Sequence, residues 1–185
     1  FYQPNKLQVY ITTPEIWSIN IDSGYLNLKN LCIKDNIFTK YIFSVDSGYK
    51  AHNVNKYLLF HSHIGKVDIN FNSDYKKINI IMLPIQMIFF ENFENINSKD
   101  IDYCHKILKN YLENYLDKDN DIIDNITNSF IRTNLILIKD NFYVLNTKYN
   151  ENDFINLIEV YNDIANTEVI IDKRIKEELA HSNDV

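Results

Sequence analysis

Three glycines, Gly24, Gly48 and Gly65, are all that the 185 residues contain. A loop that wraps a phosphate or a dinucleotide needs several glycines within a few residues, so P-loop and dinucleotide-binding fingerprints are excluded. Proline and alanine also occur three times each, while Ile, Asn, Lys and Tyr crowd every segment. That is the composition expected of a nucleotide-biased genome, and in such a chain Asn is filler as often as it is a cap or a turn. Hydrophobic periodicity must therefore carry the reading of secondary structure.

With 45% hydrophobic residues, the chain is long enough to bury a core in one or two small domains. Its net charge is −6, and no Lys/Arg run is longer than Lys76-Lys77, which argues against the basic face of a nucleic-acid binder. Cys32 and Cys104 lie far apart, without the spacing of a zinc site or a disulfide framework. Free thiols in a reducing compartment are the expectation. No apolar stretch approaches the roughly 20 residues of a membrane span. Phe1-Tyr2-Gln3-Pro4 lacks the basic and apolar regions of a signal peptide. Because the sequence opens on Phe1 and not on methionine, it is expected to be a fragment whose missing part carries much of the function.

Leu7 to Thr12 alternates apolar and polar residues, the period of a half-buried strand, and Pro14 stops it ahead of Trp17. From Leu26 to Val45 the spacing suggests a short helix interrupted near Asp35-Asn36. Val67-Ile69-Phe71 and Ile78-Ile80-Met82 alternate on either side of the polar turn Asn72-Ser73-Asp74, which predicts a hairpin. Pro84 suits the first turn of a helix bearing Ile85, Ile88, Phe89 and Phe93 on one side. Asn97 or Ser98 is the expected cap of the next helix, whose stripe runs Ile101, Cys104, Leu108, Tyr111 or Leu112, and Tyr115. A polar break over Asp117-Lys118-Asp119-Asn120 ends it. A further helix carries Ile122, Ile123, Ile126 and Phe130. Leu135 to Lys139, the turn Asp140-Asn141 and Phe142 to Asn146 predict a second hairpin. Phe154, Leu157 or Ile158, Tyr161 and Ile164 then keep helical spacing before a polar tail.

The expected fold class is α+β, a small α/β sheet subdomain at 1–83 followed by a winged-helix module at 84–150, with a terminal helix and tail at 151–185. Three helices and a hairpin in that order are the pattern of a winged helix. The helix that would enter a DNA groove carries Asp121 and Asp124 against a single Arg132, so it would repel phosphate, and packing on another protein fits better.

Candidate chemistry is sparse. His61 and His63 share a face if extended, but a metal would need a third ligand, and hydrogen-bonded histidines are expected. His52, His105 and His181 are isolated. Asp119/Asp121 and Glu151/Asp153 sit in polar breaks, where solvated turns and helix starts account for them. Cys104 lies on an apolar stripe and reads as core, not as a nucleophile.

The order of these features resembles the cullin homology region, the scaffold region of multisubunit RING ubiquitin ligases. Val9-Tyr-Ile-Thr-Thr-Pro-Glu-Ile-Trp17 is similar to the family's strand ending in Leu-Thr/Ser-x-x-x-Trp-Pro, with Ser18 in place of the Pro. Asn55-Lys-Tyr-Leu-Leu-Phe-His-Ser-His-Ile-Gly65 resembles its Arg-x-Leu-x-Trp…Leu-Gly segment, with Asn55 for the Arg and Phe60 for the Trp. Leu83-Pro-Ile-Gln-Met-Ile-Phe-Phe-Glu-Asn-Phe93 is similar to the helix Val-Thr/Ser-x-x-Gln-Ala-x-Leu-Leu-x-Phe, with Gln86 and Phe93 in register. Residues 98 to 146 fall where the family has its first C-terminal winged helix. The run Ile64-Gly-Lys-Val-Asp-Ile-Asn-Phe71, with Pro84 ahead of the Gln, tilts the resemblance toward subunit 2 of the anaphase-promoting complex, with a typical cullin as the alternative. The neddylation segment is not matched, since Asp172-Lys-Arg174 is followed by Glu177-Glu-Leu-Ala-His181.

The resemblance implies a non-catalytic subunit with no cofactor of its own, zinc being expected only on the partner. That partner is a RING-H2 protein whose strand joins the sheet, recruiting a ubiquitin-conjugating enzyme alongside other ligase subunits. It implies ubiquitin-dependent degradation and cell-cycle control, in the nucleus and cytoplasm, with no membrane and no nucleic acid. The expected contact residues are Gln8, Val9, Tyr10, Ile11, Thr12, Trp17, Tyr57, Leu59 and Phe60, on edges formed by Gln8–Thr12, Tyr57–Phe60 and Val67–Phe71. Two readings from other classes stand beside it: a winged-helix nucleic-acid binder, and a small α+β enzyme.

Overall fold

The alternation at 67–82 is a hairpin in the computed structural model, which describes residues 2–4, 37–56, 58–112 and 119–167. Strand β2 (Val67–Asn72) pairs antiparallel with β3 (Lys77–Met82), in register from Val67↔Met82 to Asn72↔Lys77. Val67, Ile69, Phe71, Ile78, Ile80 and Met82 all point inward and are buried. At the turn, the Ser73 hydroxyl accepts from the Tyr75 and Lys76 amides at 3.3 and 3.1 Å. Strand β1 (Tyr2–Pro4) lies antiparallel on the other side of β2.

Helix α1 (Ile37–His52) runs on past Gly48, where the spacing suggested a helix ending near Val45; the stretch before it lies outside the described residues. Lys50 and His52 in its last turn bond Asp46 and the Gly48 carbonyl, which stabilises the negative end of the helix.

Helix α2 (Pro84–Glu91) starts as expected at Pro84, where the missing N–H costs nothing. Every residue from Ile85 to Glu91 is buried, so it is a central helix and not one with a single apolar side. Its Phe89 and Phe90 build an aromatic cluster that joins the two halves of the molecule. Phe90 meets Phe71 of β2 edge-on at 5.6 Å and stacks on Phe130 at 5.7 Å. Phe89 meets Phe130, Phe93 and Tyr143 at 5.2, 5.5 and 5.8 Å.

The next helix, α3 (Ile101–Tyr111), is capped by Asp100, whose carboxylate accepts from the Tyr103 amide at 2.9 Å. Asn97 and Ser98 are not the cap. Ser98–Asp100 instead forms strand β4, drawn into extended form by pairing with Phe142–Val144. Cys104, Leu108, Tyr111 and Leu112 are buried as the stripe predicts, while Tyr115 lies outside the described residues.

Helix α4 (Asp119–Arg132) already includes Asp119 and Asn120 from the expected break. It buries Ile123, Ile126 and Phe130 and ends at Arg132, and Asn134 beyond it takes a positive φ of 58° that closes the turn. Strands β5 (Ile136–Lys139) and β6 (Phe142–Leu145) form the second hairpin. Asp140 and Asn141 both take positive φ, 48° and 65°, as a two-residue primed turn requires.

Phe154 does not belong to the last helical stripe. It opens strand β7 (Phe154–Asn156), which lies parallel to β3, and leaves half of its ring exposed. Helix α5 follows over 157–167, burying Leu157 and Ile164. The first sheet therefore has the order β1-β2-β3-β7 and the second β4-β6-β5. The protein is α+β, and one continuous hydrophobic core runs from β2 and β3 through α2 to α4 and β6.

Candidate functional site

Helix α1 has no acidic residue in its own first turn, and its exposed amides need an acceptor. Glu91, the last residue of α2, supplies one from across the core. Its carboxylate accepts from the Phe38 amide at 2.7 Å, the Thr39 hydroxyl at 2.8 Å and the Tyr2 hydroxyl at 2.6 Å. One buried side chain thus ties α2 to the start of α1 and to strand β1. Burial pushes the Glu91 carboxyl above the ordinary carboxylate range, against the lowering pull of these three donors, and the nearby Glu94 carboxylate adds to the rise. The Tyr2 phenol is raised as well, by burial first and by Glu91 next, so it stays protonated and donates.

This arrangement sets a pH dependence. A group whose pKa is raised by folding contributes stability that is fully present below its unfolded pKa and is lost as pH rises through the folded one. The fold is therefore expected to weaken as pH climbs from the ordinary carboxylate range through the raised Glu91 pKa. Urea midpoints taken across that window check it. Glu91→Gln keeps the shape and removes the charge, so it should flatten the slope; an unchanged slope would assign the dependence to another group.

The segment before β2 packs on the start of α2, with the Ile85 amide donating to the Ser62 carbonyl at 3.0 Å. Gly65 there has a φ of 108°, which strains any other residue, and a Cβ at that position would lie 3.8 Å from the Pro84 ring. The Ser62 hydroxyl and His63 Nδ1 are 2.7 Å apart, and His63 Nε2 lies 3.2 Å from the Tyr161 hydroxyl of α5. Burial, then the neighbouring His61, lowers the His63 pKa to about 4, so the ring is neutral near pH 7. A Ser–His pair of this kind resembles an activated nucleophile, but Ser62 is completely buried and no substrate can reach it. Among the described residues no group of three or more His, Cys, Asp or Glu could hold a metal ion. Cys104 is also buried, its thiol pushed up to about 12 by burial, which leaves it unreactive.

Deeper in the core, Gln86 joins three elements. Its Oε1 accepts from the Leu83 amide at 2.8 Å, and its Nε2 donates to Ser129 Oγ at 2.9 Å and to the Leu157 carbonyl at 3.1 Å. Between α4 and α5 an open cleft of about 380 Å³ is lined by Asn128, Ile131, Arg132, Ile164 and Thr167. Among the described residues, Arg132 is the single ionisable group in that lining, so they place no acid–base or nucleophile–base pair there.

Most of the expected contact residues, Gln8, Val9, Tyr10, Ile11, Thr12, Trp17 and Tyr57, lie outside the described residues. Leu59 and Phe60 are described and correct the expected Tyr57–Phe60 strand, because residues 58–60 have no strand pairing. Leu59 is half-exposed, while Phe60 packs on the core and serves the interior more than an interface. Val67–Phe71 is a strand but not an open edge: β1 covers Ile69 to Phe71 on one side and β3 covers the other. Glu91 and Tyr2, which hold that cover in place, were not among the expected residues. The available signal was a lone carboxylate closing a helix whose only other polar side chain is Gln86.

No family model matches the chain, and no curated protein sequence matches it. Among the described residues no helix is long and apolar enough to cross a membrane. The functional reading therefore stands on the residues and their geometry.

Proposed function

We propose that this chain is a non-catalytic scaffold piece of a RING-type ubiquitin ligase, of the cullin-homology kind and nearest to subunit 2 of the anaphase-promoting complex. The observation that carries the reading is the convergence on α2 of Gly65, Pro84, Gln86 and Phe93, four of the landmarks on which the resemblance rests; the fifth, Trp17, lies outside the described residues. Gly65 packs against Pro84, Gln86 joins α2 to α4 and α5, and Phe93 is fully buried against Phe89. The succession α2, β4, α3, α4 and the β5–β6 hairpin, closed by β4 pairing with β6, fits a winged-helix module at 84–146.

In this reading a RING-H2 partner carries the zinc and adds a strand to the first sheet. Main-chain hydrogen bonds supply affinity and alternate side chains supply selectivity. The partner recruits a ubiquitin-conjugating enzyme, other ligase subunits bring the substrate, and the scaffold raises their effective concentration for ubiquitin-dependent degradation and cell-cycle control. The setting is the nucleus and cytoplasm. The nucleic-acid alternative is disfavoured by α4, whose exposed positions are Asp121, Asp124, Asn128 and Arg132.

Coexpression of the chain with a RING-H2 protein, followed by size-exclusion chromatography, tests the proposal. A stoichiometric complex is expected, with no shift of duplex DNA at moderate salt. Absence of any complex, together with a DNA shift by the chain alone, overturns it.

A further inference from the structure

Strand β5 closes one side of the second sheet, and among the described residues no strand pairs with its outer side. The two-residue turn at Asp140-Asn141 decides which groups face outward. Lys139 and Phe142 close that turn as a bonded pair, and bonding alternates from there, so Leu137 and Lys139 turn their N–H and C=O groups to β6. The Asn146 amide, donating to the Leu135 carbonyl at 2.9 Å, continues the alternation. The N–H and C=O groups of Ile136 and Ile138 therefore face the open side. The edge is apolar as well as open. Ile136-Leu137-Ile138-Lys139 holds no proline, no bulge and a single charge at its end, so the usual guards of an edge strand are nearly absent. Ile138 is 55% exposed although its register partner Tyr143 is buried. Leu137 and Val144, in register on the opposite face, are half-buried.

A second copy of β5 fits this edge by symmetry. When the two strands run antiparallel about a two-fold axis at Leu137, Ile136 of each copy lies opposite Ile138 of the other. Each such pair exchanges two bonds, so every outward N–H and C=O on both strands finds a partner. The two Leu137 side chains meet as the close, non-bonded pair and join Val144 of both copies in one apolar row. The two Lys139 charges fall about 14 Å apart, beyond a Debye length at physiological salt. We propose that the chain self-associates through this edge, merging two three-stranded sheets into one of six strands. The proposal is independent of the scaffold reading. A strand pair this short buries less than the roughly 1,200–2,000 Å² of a stable complex, so the dimer is reversible and forms on the order of 100 µM.

Sedimentation velocity from about 5 to 500 µM is expected to show a monomer passing into a dimer. Ile138→Lys puts a charge into both outer pairs and should stay monomeric, with the wild-type urea midpoint because the side chain is already half-exposed. Crosslinking tests the register in a Cys32→Ser background, where Cys104 is buried. Leu137→Cys places two thiols across the axis at a Cα separation of about 4.5 Å, which a disulfide spans, and Lys139→Cys does not. Mild oxidation should therefore dimerise the first on the order of tenfold more than the second. A wild-type chain that stays monomeric throughout, or equal crosslinking of the two variants, overturns the proposal. So does a monomeric chain whose Ile138→Lys variant loses a purified RING-H2 protein, which would assign the edge to that partner.

Discussion

Gln86→Leu is expected to destabilise the fold by about 1–3 kcal/mol, with a matching fall in the urea midpoint. The side chain is fully buried, and the substitution removes an acceptor for the Leu83 amide and a donor to the Leu157 carbonyl. The Leu83 amide then stays in the core without an acceptor, at about 1–3 kcal/mol, while the Leu157 carbonyl keeps its place in the α5 ladder. Ser129 loses less, because its hydroxyl still donates to the Ile126 carbonyl at 2.6 Å. Leucine adds apolar area, but that does not replace the lost acceptor and donor. Gln86→Glu separates shape from hydrogen bonding: its second oxygen faces the Leu157 carbonyl, so it should be poorly tolerated at neutral pH and recover on acidification. A midpoint unchanged in the Leu variant would show that the network carries no stability.

Phe89→Ala is expected to cost about 3–5 kcal/mol, since it empties a closed site against Phe93, Phe130 and Tyr143. Its consequence differs in kind from that of the Gln86 change. Phe89 and Phe90 together bridge the first sheet, through Phe71, to α4 and the second sheet. Weakening the bridge should lower the cooperativity of unfolding as well as the midpoint. Urea titrations followed by far-ultraviolet circular dichroism check this: the variant should show a broader transition at a lower midpoint, and Phe89→Leu should retain most of both. A sharp transition at the wild-type midpoint would mean that the halves are held together elsewhere.

The legible parts of the fold are those in which local pattern and tertiary role agree. Strands β2 and β3 alternate because one face is buried, and the stripes of α3 and α4 face the core at helical spacing. The Asp140-Asn141 turn is specified by residues that tolerate positive φ. Strand β4 was illegible because Ser98-Lys99-Asp100 has no apolar pattern, and its extended form is imposed by β6. Strand β7 was illegible for another reason: three residues carry little period, and the partner β3 is remote in sequence. Phe154 therefore read as the next turn of a helix. At the site, Leu59 and Phe60 were placed on a strand by the resemblance alone, since Tyr57-Leu58-Leu59-Phe60 is a continuous apolar run without the alternation of a half-buried strand. Glu91 was not singled out, since nothing local reveals that α1 begins beside it.

The parallel pairing of β3 with β7 has a consequence in time. Ile80 finds its partner Ile155 only after the intervening helices and second hairpin have been made. Closing so long a loop is entropically costly and intrinsically slow, so the first sheet completes late. A ribosome that has released the β2–β3 hairpin still holds the strand that finishes its sheet. During that interval the β3 edge is open to any passing strand, and the growing chain is at its most prone to mispair.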